Sequence, residues 1–190
     1  MNTYDFDQTV FNPDSSYKFY LFCLKRYTAR VLKTVPRSLG KAIAYKRGKI
    51  GAKELREQLF SFLAQVDDAQ AAVEAFWDIN FCKIEKWYLA QKREDDIIIS
   101  ASPEFLLAPV CRRLGVRLIA TPMDIKSGKI NGLNCHDSEK VRRFYESFPE
   151  AHTENFYSDS LSDSPMARIA DNAWLVRFDD IRPWPQEHLN

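Results

Sequence analysis

Apolar positions recur at helical spacing through most of the first half of the chain, then give way to short apolar runs separated by amphipathic segments. A short strand ending near Phe6 is followed by the turn-forming run Asn12-Pro13-Asp14-Ser15-Ser16, where Ser15 or Ser16 is placed to cap a helix. In that helix Tyr20, Leu24, Tyr27 and Val31 recur at spacings of 4, 3 and 4, while Lys18, Lys25, Arg26, Arg30 and Lys33 project roughly opposite. Pro36 interrupts this basic, amphipathic helix, and a second basic segment runs to about Arg47. Gly48 and Gly51 then break the chain before a helix over Lys53 to Gln65. A further helical stripe, Val73, Trp77, Phe81, Ile84 and Tyr88, ends at the charged break Lys92-Arg93-Glu94-Asp95-Asp96.

Beyond that break the pattern becomes strand, helix, strand. Ile97-Ile98-Ile99 is the β-branched run of a parallel strand buried on both faces, Pro103 opens a helix reaching Leu114, and Val116 to Ala120 reads as the next strand. A small hairpin around Ser127-Gly128-Lys129, a helix from about Ser138, a strand near Asn155 to Tyr157, a helix from Ser162 and a last strand Ala173 to Val176 follow. The tail with Pro183 and Pro185 reads as irregular. The expected fold class is therefore α/β, a doubly wound parallel sheet whose opening strand is separated from the rest by a helical insertion. This division assigns residues 1–13 and 91–190 to a catalytic core and 14–90 to the insertion.

Composition narrows the function classes. With 190 residues, 45% hydrophobic and 28% charged, the chain is an ordinary globular one, neither disordered nor fibrous. No apolar run approaches the roughly 18 residues of a membrane span, and Met-Asn-Thr-Tyr-Asp-Phe-Asp lacks a signal-peptide pattern, so the expected location is cytoplasmic. Cys23, Cys82, Cys111 and Cys135 make no ligand spacing with His136, His152 or His188, which points to reduced thiols and no zinc site. The net charge of +1 hides an asymmetry: Lys18 to Lys53 holds eleven Lys or Arg and no acid, leaving 16 basic against 26 acidic residues elsewhere.

Ligands bind at the carboxyl ends of the strands in open parallel sheets, so the polar residues that terminate each strand are the candidate chemistry. Strand one ends in Asp5-Phe6-Asp7-Gln8-Thr9, the isoleucine run ends in Ser100, and the strand before the last helix ends in Ser158-Asp159-Ser160-Leu161-Ser162-Asp163. Lys140 opens the helix between them. Carboxylates gathered at one sheet edge call for a divalent cation, and hard oxygen ligands select Mg²⁺.

These segments resemble, in order and spacing, the four motifs of the haloacid dehalogenase superfamily: Asp5-Phe6-Asp7-Gln8-Thr9-Val10 the first, Ser100 the second, Lys140 the third and Ser158 to Asp163 the fourth. The insertion after motif one is similar to the helical cap of the phosphoserine-phosphatase-like branch. The resemblance implies a Mg²⁺-dependent phosphatase in which Asp5 attacks phosphorus to form an aspartyl-phosphate and Asp7 acts as general acid and then base. It further implies that the Asp5 carboxylate, the Asp7 backbone carbonyl and Asp159 hold Mg²⁺, with Asp163 orienting metal-bound water. Ser100 and Lys140 bind and neutralise the phosphoryl group, and Thr9, Asp14 and Ala101 complete the substrate-binding set, Thr9 by positioning the motif-one loop. Gln8 and Ser158 depart from glycines common in the family.

Several readings remain beside this one. Asp163 could cap the helix before Pro165, Ser102 is a better helix cap than Ser100, and Lys129, Arg142 and Arg143 are alternatives to Lys140. A phosphotransferase on the same core, or a peripheral anion-binding module with a vestigial site, are the rival functions. The basic segment is compatible with a solvated face, an electrostatic funnel, or peripheral contact with anionic membrane favoured by Phe19 and Phe22; no nucleic-acid motif is present. The phosphoserine-phosphatase cap pattern F-x-x-x-L-x-x-R, aligned on Gly48 to Gly51, places Ala52 at the aromatic and Leu59 at the arginine position. A pocket without that guanidinium argues against phosphoserine and leaves a small-molecule or lipid-headgroup phosphomonoester as substrate.

Overall fold

A computed structural model describes residues 1–178 and 180–189; Asp179 and Asn190, both within the expected 91–190 core, lie outside the described residues. Six strands form one sheet: β1 (Asn2–Tyr4), β2 (Ile97–Pro103), β3 (Arg117–Thr121), β4 (Thr153–Ser158), β5 (Ala170–Arg177) and β6 (Asp180–Pro183). Their order is β3-β2-β1-β4-β5-β6, all parallel except the β5–β6 pair. The chain winds outward from β1 to β3 and then crosses back to β4, so the strand order reverses between β1 and β4, the place where such sheets hold ligands.

The isoleucine run shows why the sheet is buried on both faces. Ile98 packs with Tyr4, Leu106 and Val110 on one side, while Ile97 and Ile99 pack with Phe144, Phe156 and Met166 on the other. Helix α7 (Glu104–Leu114) covers the first face; α8 (Ser138–Ser147) and α9 (Ser164–Ile169), which pack together, cover the second.

Between β1 and β2 the chain is helical: α1 (Ser15–Arg26), α2 (Thr28–Val31), α3 (Val35–Lys46), α4 (Ala52–Phe60), α5 (Ala69–Asn80) and α6 (Lys86–Gln91). Aromatic rings tie this segment to the sheet. Trp77 on α5 stacks edge-on against Phe6 and Phe11 and donates its indole N–H to the Leu106 carbonyl at 2.6 Å.

Several expectations change. The first helix is capped by Asp14, whose carboxylate accepts the Tyr17 N–H at 2.7 Å, rather than by Ser15 or Ser16, which are buried. Its buried apolar face is Phe19 and Cys23, with Tyr20 and Leu24 only half-buried, and the helix ends at Tyr27 before the proposed stripe completes. Phe19 is fully buried against Phe62, Phe76 and Phe105 and is not available to a membrane, while Phe22 packs on Phe76 and is only partly exposed. Pro36 lies in the first turn of α3 and starts that helix, where its missing N–H costs nothing. The tail read as irregular contains β6: Pro183 pairs with Trp174 on the sheet's edge, where a residue without an N–H is tolerated.

Candidate active site

The loop after β1 folds around one acceptor. The Phe6 carbonyl takes the N–H groups of Val10 and Phe11, both at 2.9 Å, which turns the chain sharply and leaves Asp5 and Asp7 facing the cavity. Gln8 occupies the left-handed region at φ 60°, and this is the backbone reason a glycine suits the position. At the end of β4 the Asp159 N–H donates to the Thr9 hydroxyl at 2.9 Å, locking the first and fourth motifs together; Thr9 is buried.

Lys140 is the electrostatic centre. Its ammonium, almost wholly buried, donates to Asp5 Oδ1 and Asp163 Oδ2, both at 2.7 Å. Burial alone would discharge this lysine, but the two carboxylates outweigh it and hold the pKa above its ordinary value. Burial raises the Asp5 carboxyl while Lys140 opposes it. Arg142 and Arg143, the sequence alternatives, are committed to Glu139, and Arg143 also to the Ala120 and Leu133 carbonyls. Lys129 does not line the cavity. Asp163 does not cap a helix with its side chain: Oδ2 takes Lys140 and also the Ser158 hydroxyl at 2.8 Å. Ser158, where the family commonly has glycine, therefore helps fix Asp163.

Asp7 has a separate hydrogen-bond set. It accepts the Ser15 N–H at one oxygen, 2.6 Å away, and the Ser102 hydroxyl at the other. Ser102 also contacts the Ser16 hydroxyl at 3.0 Å, and its own N–H donates to Ser100 Oγ at 3.1 Å. Burial and the nearby Asp14 carboxylate push the Asp7 carboxyl up, the bonds from Ser102 and Ser15 pull it back, and it settles at about 6. The expected helix cap Ser102 is instead a partner of Asp7; Pro103 precedes α7. Sequence reading missed this role, whose only signal is that Ser102, two residues beyond Ser100 in β2, shares its side of the strand.

These groups line one cavity of about 590 Å³. Ser100, Ala101, Asp14, Asp159 and Lys140 share its polar wall with Asp5, Asp7 and Asp163. The insertion supplies Tyr45, Leu55, Leu59 and Phe60, which make the opposite wall apolar, and it supplies Arg56. Arg56 donates to the Ala101 carbonyl, and that carbonyl also accepts the Thr121 hydroxyl at 2.8 Å. Burial lowers the Arg56 pKa while Asp14, Asp7 and Asp5 draw it back. A guanidinium therefore does reach the pocket. Ala52, Arg56 and Leu59 are spaced by 4 and 3 on one helix face, so arginine and leucine have exchanged places within the cap pattern.

Mg²⁺ fits the donor set. Among the described residues no three carboxylate, His or Cys side chains converge tightly enough to enclose a cation unaided. Mg²⁺ needs no such cage, since it binds through one or two carboxylates and keeps several waters. Asp5 spends only Oδ1 on Lys140, and burial raises the Asp159 carboxyl, two marks of carboxylates short of positive charge.

The sequence matches the family described as haloacid dehalogenase-like hydrolase over residues 3–168. Protein CicA of Caulobacter vibrioides is 32% identical over 181 residues, covering 88% of this chain and 82% of the relative. A probable phosphatase of Mycobacterium tuberculosis is 31% identical over 107 residues, 48% of this chain and 37% of the relative. Among solved structures, a Bordetella pertussis protein of unknown function superposes with a TM-score of 0.67 at 24% identity, covering 87% of this chain and 84% of that one.

Proposed function

The chain belongs to the haloacid dehalogenase-like hydrolases, and from that premise we propose that it is a Mg²⁺-dependent phosphatase that cleaves a phosphomonoester through an aspartyl-phosphate on Asp5. The observation that carries the reading is the Lys140 ammonium bridging Asp5 and Asp163 in the cavity that Asp7 and Ser100 also line. In this reading 1–13 and 91–190 are the catalytic core and 14–90 the cap that walls it.

The unbonded oxygen of Asp5 attacks phosphorus, and the ester oxygen leaves on the opposite side. Asp7, held in place by Ser15 and Ser102, gives its proton to that oxygen and, once ionised, takes one from the water that opens the acyl phosphate. Lys140 and Ser100 stabilise negative charge on the transferring group. Asp5, the Asp7 carbonyl and Asp159 would hold the cation, with Asp163 acting through water because its Oδ2 is already taken. When bound, Mg²⁺ supplies positive charge that offsets these carboxylates and polarises the phosphoryl group.

The apolar cap wall favours a leaving group larger and less polar than serine, so the substrate is an amphipathic phosphomonoester rather than phosphoserine. Arg56 would hold a second anionic or carbonyl oxygen of it. The test is turnover of an aryl phosphate with Mg²⁺. The expected result is kcat/KM at least ~10-fold above that for phosphoserine, a hydroxylamine-sensitive phosphoenzyme, and loss of both in Asp5→Asn. Undiminished hydrolysis by Asp5→Asn would remove the nucleophile assignment.

A further inference from the structure

Helix α3 stands apart from the other α-helices among the described residues, because none of its side chains is buried. It is nevertheless not a polar helix. Leu39 is 62% exposed and Ile43, one turn on, is 44% exposed; Leu32 just before the helix is 53% exposed. The spacing of 4 puts Leu39 and Ile43 on a single face. A different face, Ser38, Ala42 and Tyr45, lines the cavity, so α3 has one side toward the site and an apolar stripe toward solvent.

Charge identifies what this stripe meets. Lys46 and Arg47 adjoin it, and Lys33, Arg37 and Lys49 add positive charge around and at the ends of α3; all are exposed, and none enters an ion pair among the described residues. Their neighbours Arg30 and Lys41 do find acids, Asp67 and Glu54, both outside the acid-free stretch from Lys18 to Lys53. A second copy of the same face would bring like charge against like charge. A surface that is both negative and apolar beneath matches it, and that is the interface of an anionic bilayer. Among the described residues no helix is long and apolar enough to cross a membrane, so the contact is peripheral.

We propose that α3 lies on anionic lipid, with Leu39 and Ile43 entering the headgroup layer and the surrounding cations holding lipid phosphates. Because Ser38, Ala42 and Tyr45 of the same helix wall the cavity, docking brings the site to phosphomonoesters held in that surface. Only this consequence for the substrate rests on the phosphatase reading; the docking itself does not.

The test is flotation of the full chain with phosphatidylcholine vesicles, alone or with about 30% phosphatidylglycerol. The bound fraction should rise at least ~10-fold with the anionic lipid and fall by a similar factor between about 0.05 and 0.5 M salt. Leu39→Gln with Ile43→Gln, and separately Arg37→Glu with Lys46→Glu, should each weaken binding at least ~5-fold, leaving thermal unfolding and aryl phosphate hydrolysis unchanged. Asp5→Asn should lose turnover but bind vesicles like the parent; turnover retained in that variant with intact binding overturns the enzymatic reading and spares the docking. Binding indifferent to lipid charge, or untouched by either double substitution, overturns the docking. So does a lipid-free dimer that the leucine and isoleucine substitutions dissolve.

Discussion

The Asp7 carboxyl is set by burial and by three neighbours with opposed effects. Burial and Asp14 raise it, and Ser102 and Ser15 lower it. In the proposed role of general acid it must carry a proton in the first step, so that step should slow as pH rises through the Asp7 pKa of about 6. Asp14→Asn keeps the cap of α1 but removes the carboxylate's push, so the alkaline limb of the phosphoenzyme burst should move down by roughly 0.5–1 pH unit. Ser102→Ala removes a hydrogen bond to the ionised form and should move the same limb up by a comparable amount. Burst rates measured across pH decide the matter, and shifts of the same sign in both variants would break the assignment. Asp5, Asp7, Ser100, Lys140 and the fourth-motif acids were legible because strand ends and residue chemistry mark them. Ser102 and Arg56 were not. Ser102 looked like a cap because Ser-Pro commonly opens helices, and Arg56 was hidden because a pattern of fixed positions ignores an exchange within one helix face.

Elements position these residues through close backbone approaches that periodicity does not reveal. Gly128, in the loop after β3, has φ +70°, and a Cβ there would sit 2.5 Å from the carbonyl oxygen of Phe60, the last residue of α4. The same loop holds α4 at two more points: the Ile130 N–H donates to Glu57 at 3.0 Å, and Lys53 donates to the Gly132 carbonyl at 2.9 Å. Helix α4 carries Arg56, so this seam sets where the guanidinium enters the pocket. Gly128→Ala combines a strained φ with a clash against backbone and should destabilise the chain by ~2–4 kcal/mol, with a raised KM because α4 must shift. Calorimetry and steady-state kinetics on the purified variant test this; an unchanged unfolding temperature would mean that the seam carries no strain. The hairpin around Gly128 was readable from its turn residues, whereas its contact with a helix nearly 70 positions earlier was not. The α/β rhythm followed from the β-branched runs; the strand order and β6 did not, because pairing between distant strands leaves no local signal and prolines mask an edge strand.

At the scale of the molecule the charge split becomes a balance across one cavity. Asp5, Asp7, Asp14, Asp159 and Asp163 line it against only Lys140 and Arg56, so without a cation its wall carries excess negative charge. Burial opposes that charge, raising the carboxyls of Asp5, Asp7 and Asp159. A cation that binds the folded state alone relieves it and stabilises the chain by mass action. Mg²⁺ at ten times its dissociation constant should add ~1.4 kcal/mol, an unfolding temperature rise of roughly 3–6 °C for a chain of this size. Asp159→Asn removes a proposed ligand and one buried charge together, so it should unfold at or above the parent's temperature in chelator and lose the Mg²⁺-dependent rise. The sign with pH follows. Carboxyls raised in the folded state bind protons more tightly there than when unfolded, so without metal stability falls as pH climbs from about 4 through about 6 for Asp7 and on through about 8 for Asp5. Mg²⁺ should flatten that decline, because it replaces the protons as the compensating charge. Scanning calorimetry at several pH values, with chelator and with Mg²⁺, reads both effects, and a Mg²⁺ shift retained in Asp159→Asn would place the cation elsewhere.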